Sequence, residues 1–204
     1  MIQNYFAKSH YLCHMYKIAI FASGEGTNAE QIIRYFRGRE ISAHFLIICN
    51  NPHAGILLRA QQLHVPAEIF HKAQFDSGMV SARMKDFNPD LIVLAGFLLK
   101  IPEDMIRSFP DRILNIHPAL LPKFGGKGMY GMHVHRAVIE KGEKKTGITI
   151  HLVNEHYDEG RILFQQSVPV LSSDTAEDVS AKVRKLELIH YPETILSYLI
   201  NTAK

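Results

Sequence analysis

Asn115 and His117 stand two residues apart in Leu114–Pro122 (L-N-I-H-P-A-L-L-P), two polar side chains in a run that is otherwise apolar and ends in proline. Packing alone asks for neither. In a strand, residues i and i+2 leave on the same face, so a strand through this run would set an amide beside an imidazole. Pro118 adds a constraint, because a proline ring disfavours the α region for the preceding residue and holds His117 extended. An amide N–H and a neutral or cationic imidazole on one face are two donors suited to an oxygen that becomes negative in a transition state, as acyl chemistry requires. The structural alternative is a buried Asn and His that satisfy backbone groups at a strand end.

A histidine poised near neutral pH gains from a neighbouring carboxylate, which raises its pKa. The polar loop Asn154–Gly160 offers Glu155, Asp158 and Glu159, and spacing does not choose among them. The sequence contains no nucleophile elbow, reactive-cysteine signature or cofactor-lysine motif, which favours direct transfer between two bound substrates over a covalent enzyme intermediate.

The elements that must position these groups alternate between strand and helix. Lys17–Ala22 is a short apolar strand that feeds into Ser23-Gly24-Glu25-Gly26-Thr27-Asn28, and Thr27 with Glu30 predicts a capping box opening a helix over Asn28–Phe36. Strand, glycine turn and helix N-terminus together present N–H groups and a positive dipole end to an anion. The turn is neither G-x-G-x-x-G nor a P-loop. Strands follow at Ala43–Cys49, Ala67–Phe70, Leu91–Ala95 and Asp111–Ile116, with helices at Ala54–Leu63 and Gly78–Phe87 and a short one opened by Pro102. This alternation predicts a parallel sheet with right-handed crossovers.

Beyond the opening run, Phe124–Met132 holds four glycines and reads as a mobile or ligand-shaped loop. A helix is expected over His133–Lys141, and strands over Gly147–Val153 and Arg161–Val170, whose short link allows antiparallel pairing. Asp174 with Glu177 predicts a second capping box. The stripe Val179, Val183, Leu186 and Ile189 marks a final helix that Pro192 should kink or interrupt. The fold class is α/β: a Rossmann-like three-layer sandwich with a mostly parallel twisted sheet, helices on both faces and an antiparallel strand in the C-terminal half.

Composition sets the outer bounds. With 204 residues, 47% hydrophobic and 21% charged, the chain fits one globular domain, and no run of eighteen apolar residues suggests a membrane span. Net charge is +3 and the 23 Lys and Arg are scattered, so no basic stripe points to nucleic acid. Cys13 and Cys49 show neither metal nor disulfide spacing, and the 12 histidines include no H-E-x-x-H. A reducing, cytoplasmic setting and no metal are expected. Residues 1–14 read as an N-terminal extension, with Met15 a candidate native start and 15–204 the single domain.

Four segments in order, F-A-S-G-E-G-T-N (Phe21–Asn28), V-L-A-G-F (Val93–Phe97), L-N-I-H-P-A-L-L-P-K (Leu114–Lys123) and G-I-T-I-H-L-V-N-E-H-Y-D-E-G (Gly147–Gly160), resemble the phosphoribosylglycinamide formyltransferases, the folate-dependent glycinamide ribonucleotide transformylases of purine synthesis. The likeness runs from Lys17 to the final helix. It implies formyl transfer from 10-formyltetrahydrofolate to the glycine amine of glycinamide ribonucleotide by a monomer or homodimer. Asn115, His117 and Asp158 match the family's catalytic trio; Gly26, Thr27 and Asn28 match its phosphate turn. The resemblance also assigns Glu187 to the ribose, Leu98, Leu99, Lys100 and Ile101, the loop before Asp158 and Asn115 to the folate, and His151 to a position near the site, in a supporting role. Two departures stand out: the family's familiar members carry basic residues where Gly78 and Leu99 stand, and Lys72 or Lys100 could supply that charge. The loop Gly125–Gly131 is also longer than the compact form.

The readings weighed against this one were a formyltetrahydrofolate deformylase using the same trio on water, a methionyl-tRNA formyltransferase, and a non-catalytic Rossmann-type nucleotide-binding module. Sixteen residues before the first strand are too few for the deformylase's regulatory domain, and no basic face or C-terminal RNA-binding domain is expected.

Overall fold

A computed structural model of the chain describes residues 14–202. Of the expected extension 1–14, residues 1–13, Cys13 among them, lie outside the described residues. Seven strands form one sheet: β1 (Tyr16–Ala22), β2 (Ala43–Cys49), β3 (Ala67–Ile69), β4 (Leu91–Leu94), β5 (Ile113–His117), β6 (Lys145–Leu152) and β7 (Ile162–Pro169). Their spatial order is β3-β2-β1-β4-β5-β6-β7. The pairings from β3 to β5 are parallel, and β6 runs antiparallel to both its neighbours. Period-two alternation sorts the side chains to opposite faces: Ile18, Ile20 and Ala22 of β1 enter one apolar core, Ala19 and Phe21 the other.

Helices cover both faces. Helix α1 (Thr27–Arg37), α2 (Gly55–Gln62), α6 (Met132–Glu140) and α7 (Ala176–Thr202) pack on the first core through Ile32, Phe36, Ile56, Val138 and Val183. Helices α3 (Lys72–Asp76), α4 (Met79–Phe87) and α5 (Glu103–Ser108) pack on the second through Phe75, Val80, Met84 and Met105. Among the described residues no helix is long and apolar enough to cross a membrane. After β3 the chain returns to the other side of β1, so β1 and β4 are neighbours at the point where strand order reverses. Ligands of such sheets bind outside the carboxyl ends of the strands at that point.

Three local expectations are corrected. Gly26, at φ 75°, holds the N-cap of α1, and no side chain caps the helix. Glu30 is drawn away from the expected capping box by ion pairs with Arg34 and Arg59. The second capping box is shifted by one residue: Thr175 Oγ1 accepts from the Asp178 N–H, and the Asp178 carboxylate accepts from the Thr175 N–H. Asp174 instead accepts the Leu171 N–H and pairs with Lys182. Pro192 sits inside α7 without ending it. Its turn is carried on the buried side by Tyr191, Ile195 and Leu199, whose packing offsets the missing backbone hydrogen bond. The helix α3 was not expected from its sequence, whose five residues span too little for a period to register.

Candidate active site

The carboxyl ends of β1, β4 and β5 open into one cleft of about 950 Å³. At that size the cleft stands near the upper end of small-molecule sites. Each part of its wall follows from a local feature of the chain. Gly26 must be glycine, since a Cβ would meet Ile56 Cδ1 at 2.4 Å and its φ is positive. With no side-chain cap, the first turn of α1 leaves N–H groups for an anion, and Gly26, Thr27 and Asn28 line the cleft there. Ser23 Oγ accepts the Leu98 N–H at 2.9 Å, which ties this turn to the segment after β4. Leu98, Leu99, Lys100 and Ile101 form the wall on that side.

Asn115 and His117 leave the same face of β5, as their spacing requires, and both reach the cleft. His117 is 3% exposed. Its Nε2–H donates to the Phe124 carbonyl at 2.7 Å, and its Nδ1 lies 3.5 Å from Asp158 Oδ2. Of the three acids in the loop Asn154–Gly160, Asp158 is therefore the one that meets the imidazole; Glu155 and Glu159 are exposed. Asp158 has φ 58°, which turns its side chain back into the site, and its Oδ2 also accepts the Gly126 N–H at 2.8 Å.

His151 enters from β6, where it is the ladder partner of Asn115. Its Nδ1–H donates to the Leu152 carbonyl at 2.8 Å. In the neutral ring Nε2 then carries a lone pair, which accepts the Asn115 Nδ2–H at 3.2 Å. The same Nε2 is 3.6 Å from Asp158 Oδ1.

Electrostatics follow from this enclosure. Burial holds the His117 pKa below the ordinary histidine value, against the pull of the Asp158 charge and the Phe124 carbonyl in the other direction. For Asp158, burial raises the carboxyl, but the His151 ring, where its Nε2 carries a proton, the charge of the His117 imidazole and the Gly126 N–H outweigh it and leave the pKa below the usual carboxylate value. On the opposite wall, burial raises the Glu187 carboxyl, opposed by Asn28 and Arg184. Asn28 Nδ2–H donates to Glu187 Oε2 at 2.9 Å, while Asn28 Oδ1 is buried without a hydrogen-bond partner among the described residues.

The profile of the formyl transferase family matches residues 16–195. The chain belongs to the formyl transferase family. It is 42% identical over 187 residues to a chloroplastic phosphoribosylglycinamide formyltransferase of Vigna unguiculata, covering 88% of this chain, and spans 59% of that relative's length. The phosphoribosylglycinamide formyltransferase of Haemophilus influenzae is 35% identical, with 89% of this chain and 86% of the relative covered. Among solved structures, glycinamide ribonucleotide transformylase 1 from Symbiobacterium toebii superposes with a TM-score of 0.83 at 34% identity, covering 92% of this chain and 89% of its own.

In this member of the formyl transferase family, every residue to which the resemblance individually assigns a catalytic, phosphate, ribose or folate role lines the same cleft, Glu187 and His151 included, whereas Glu155 and Glu159 do not. Of the two lysines considered as replacements for the missing basic residues, Lys72 is paired with Asp76 at 2.5 Å. Lys100 lines the cleft, its Nζ 5.8 Å from the Tyr157 ring. Gly78 sits at the N-cap of α4 with φ 79°, a conformation that suits glycine. Sequence reasoning missed His135 and Arg184, which also line the cleft, while Tyr157 lines it from the loop before Asp158 that the resemblance assigns to the folate wall. His135 is 4% exposed with Nδ1 unpartnered, and its polar place among Val134 and Val138 was the available signal. Among the described residues no group of three or more His, Cys, Asp or Glu is placed to hold a metal ion.

Proposed function

We propose that the chain transfers the formyl group of 10-formyltetrahydrofolate to the glycine amine of glycinamide ribonucleotide, as the names of its relatives suggest. The observation that carries the reading is the convergence of Asn115, His117 and Asp158 in a cleft whose wall also holds the uncapped N-terminus of α1. The ribonucleotide phosphate takes the N–H groups of Gly26, Thr27 and Asn28, with Arg184 adding charge and Glu187 accepting from the ribose hydroxyls. The folate lies along Leu98–Ile101 and Asn115, with Lys100 beside Tyr157 the cation nearest its glutamate carboxylate. Both substrates are small molecules, residues 15–204 act as one domain, and the reaction runs in the cytoplasm.

In the reaction the free amine attacks the formyl carbon, and the carbonyl oxygen becomes a tetrahedral oxyanion. One Asn115 amide N–H and the His117 imidazolium stabilise it. The second Asn115 Nδ2 hydrogen is held by His151, so the amide cannot turn its oxygen toward the oxyanion without losing that bond. Asp158 favours the charged imidazole and relays the proton lost by the attacking nitrogen, through water, to the folate nitrogen that departs. Collapse breaks the bond from the formyl carbon to N10 and releases tetrahydrofolate and formylglycinamide ribonucleotide.

The test is a spectroscopic assay of tetrahydrofolate production with and without glycinamide ribonucleotide. The expected result is product only when the ribonucleotide is present. Product at the same rate without it would make the enzyme a hydrolase, and none in either case would leave a binding module.

A further inference from the structure

Three successive residues after the Leu114–Pro122 run, Phe124, Gly125 and Gly126, touch both members of the His117–Asp158 pair through their backbone. The Phe124 carbonyl accepts from His117 Nε2–H at 2.7 Å, and the Gly126 N–H donates to Asp158 Oδ2 at 2.8 Å. Between them, Gly125 is closely packed: a Cβ there would press on the Leu121 Cδ2 methyl at 2.6 Å and crowd Asp158 Cβ at 3.2 Å. Phe124 has φ 57°, a conformation uncommon for an aromatic residue, and its ring is packed against the main core. The turn is thus anchored on one side by a hydrophobic side chain and committed on the other to two polar groups of the site.

We propose that this turn is the positioning device of the active site: the Phe124 carbonyl keeps the Nε2 proton of His117 in place, so that Nδ1, on the Asp158 side, is the nitrogen that gains and loses the exchangeable proton. A carbonyl oxygen has no proton to give, so Nε2 must be the donor in the neutral ring and in the imidazolium alike. That removes Nε2 as a general base. It also selects one tautomer, whose Nδ1 lone pair faces an ionised carboxylate 3.5 Å away and is best satisfied when protonated. Phe124 and Gly126 act as positioning residues through their backbone, and of the groups this turn touches only His117 and Asp158 take part in the chemistry. The groups facing the imidazole from neighbouring elements are Asp158 from the loop after β6, His151 from β6 and His135 from α6. The catalytic meaning of the assignment rests on the formyl transfer reading; the tautomer itself does not.

Imidazole 15N NMR of the substrate-free protein, with His117 assigned by the signals lost in His117→Asn, tests the tautomer directly. The expected spectrum above the titration midpoint shows a protonated, pyrrole-like Nε2 and a pyridine-like Nδ1. A protonated Nδ1 in the neutral ring, or two nitrogens averaged between the forms, overturns the proposal. Because no substrate is added, this outcome stands whether or not the formyl transfer assay succeeds.

Gly125→Ala tests the positioning, with circular dichroism and thermal melting to establish that the variant folds. Pushing the turn and Asp158 apart by the few tenths of an ångström that the added Cβ asks of Asp158 Cβ should lower kcat by about tenfold while leaving KM for the ribonucleotide within about twofold. The His117 titration midpoint should move to lower pH, since the carbonyl that favours the charged ring is withdrawn. An unchanged kcat and an unchanged midpoint in the folded variant overturn the proposal. Should the variant not fold, the wild-type ring spectrum decides alone.

Discussion

Asn115 and His151 are direct partners in the antiparallel β5–β6 ladder, and the amide nitrogen of one lies 3.2 Å from Nε2 of the other. Because His151 Nδ1–H is committed to the Leu152 carbonyl, its Nε2 can only accept in the neutral ring, and that decides which end of the Asn115 amide faces it. Removing the ring frees the amide to rotate. His151→Ala is expected to lower kcat/KM by about 5 to 30 fold, the equivalent of losing one hydrogen bond of about 1–2 kcal/mol. In an Asn115→Ala background the same change should cost little more, so a double-mutant cycle on kcat/KM checks the coupling. Fully additive effects would sink the orienting role.

The donors themselves carry the larger effect. Losing one oxyanion donor costs on the order of 100 to 1,000 fold in turnover, and Asn115→Ala and His117→Ala should each fall at least that far. Circular dichroism and thermal melting should show both folded, since Asn115 is only partly buried and the strand's packing lies with Ile113, Leu114 and Ile116. Steady-state kinetics decide the matter, and near-normal turnover in either variant would refute its role.

Particular residues show what was legible in advance. The two-residue spacing of Asn115 and His117 placed them on one face because a strand permits nothing else. The apolar runs of β1, β2 and β4 were readable because both faces are buried and no alternation is needed. The choice of Asp158 over Glu155 and Glu159 was not readable from spacing, because it depends on a positive φ at Asp158 and on a hydrogen bond from Gly126, 32 residues earlier in the chain. The resemblance to known formyltransferases named it, but the geometry explains it. The capping boxes failed for a related reason: Glu30 and Asp174 have cationic partners brought in by tertiary contacts. His135 went unnoticed because its one local signal, a polar place among Val134 and Val138, does not tell a histidine that faces a cleft from one that satisfies the core.

Asp158→Asn isolates the effect of one charge. The negative carboxylate favours the imidazolium, so its removal should move the His117 titration midpoint to lower pH, read by NMR of the ring. Activity that needs the charged ring should be lost at correspondingly lower pH. The stability sign is opposite in origin: the native Asp158 pKa lies below its ordinary value, so its contribution is present above that value and lost as pH falls through the lower folded one. Acid unfolding followed by circular dichroism should accordingly be steeper in the wild type than in the Asn variant, and a His117 midpoint that rises in the variant would contradict the assignment.

Glu187 and Asn28 make the corresponding test of the ribonucleotide side. The carboxylate is held by Asn28 and raised in pKa by burial, so it should become protonated at a pH above the ordinary glutamate value. If it accepts from ribose hydroxyls, KM for the ribonucleotide should climb as pH falls through that point, while KM for the folate stays flat. Glu187→Ala should raise the ribonucleotide KM by about 10 to 100 fold, the range for a hydrogen bond to a charged group. Glu187→Gln should abolish the pH dependence of KM. A rise in the folate KM instead would assign the residue to the other substrate.

Tyr191 underlies the strands that hold the site, and its removal should act on stability before chemistry. The side chain is fully buried on α7, and its single hydroxyl proton is shared between the Leu94 and Leu114 carbonyls, 3.0 and 3.2 Å away, at the end of β4 and next to Asn115 on β5. The hydroxyl thus joins the 27-residue helix to the two strands whose carboxyl ends form the cleft. Tyr191→Phe keeps the ring and its packing but removes the one proton that the Leu94 and Leu114 carbonyls share. Denaturant unfolding should report a loss of about 1–3 kcal/mol, with the midpoint shifted and the slope unchanged. Because Asn115 takes its orientation from His151 rather than from Tyr191, kcat well below the melting transition should fall far less than in His151→Ala. The reverse order, a large kinetic loss with unaltered stability, would mean that α7 positions the amide and that the ladder pairing does not.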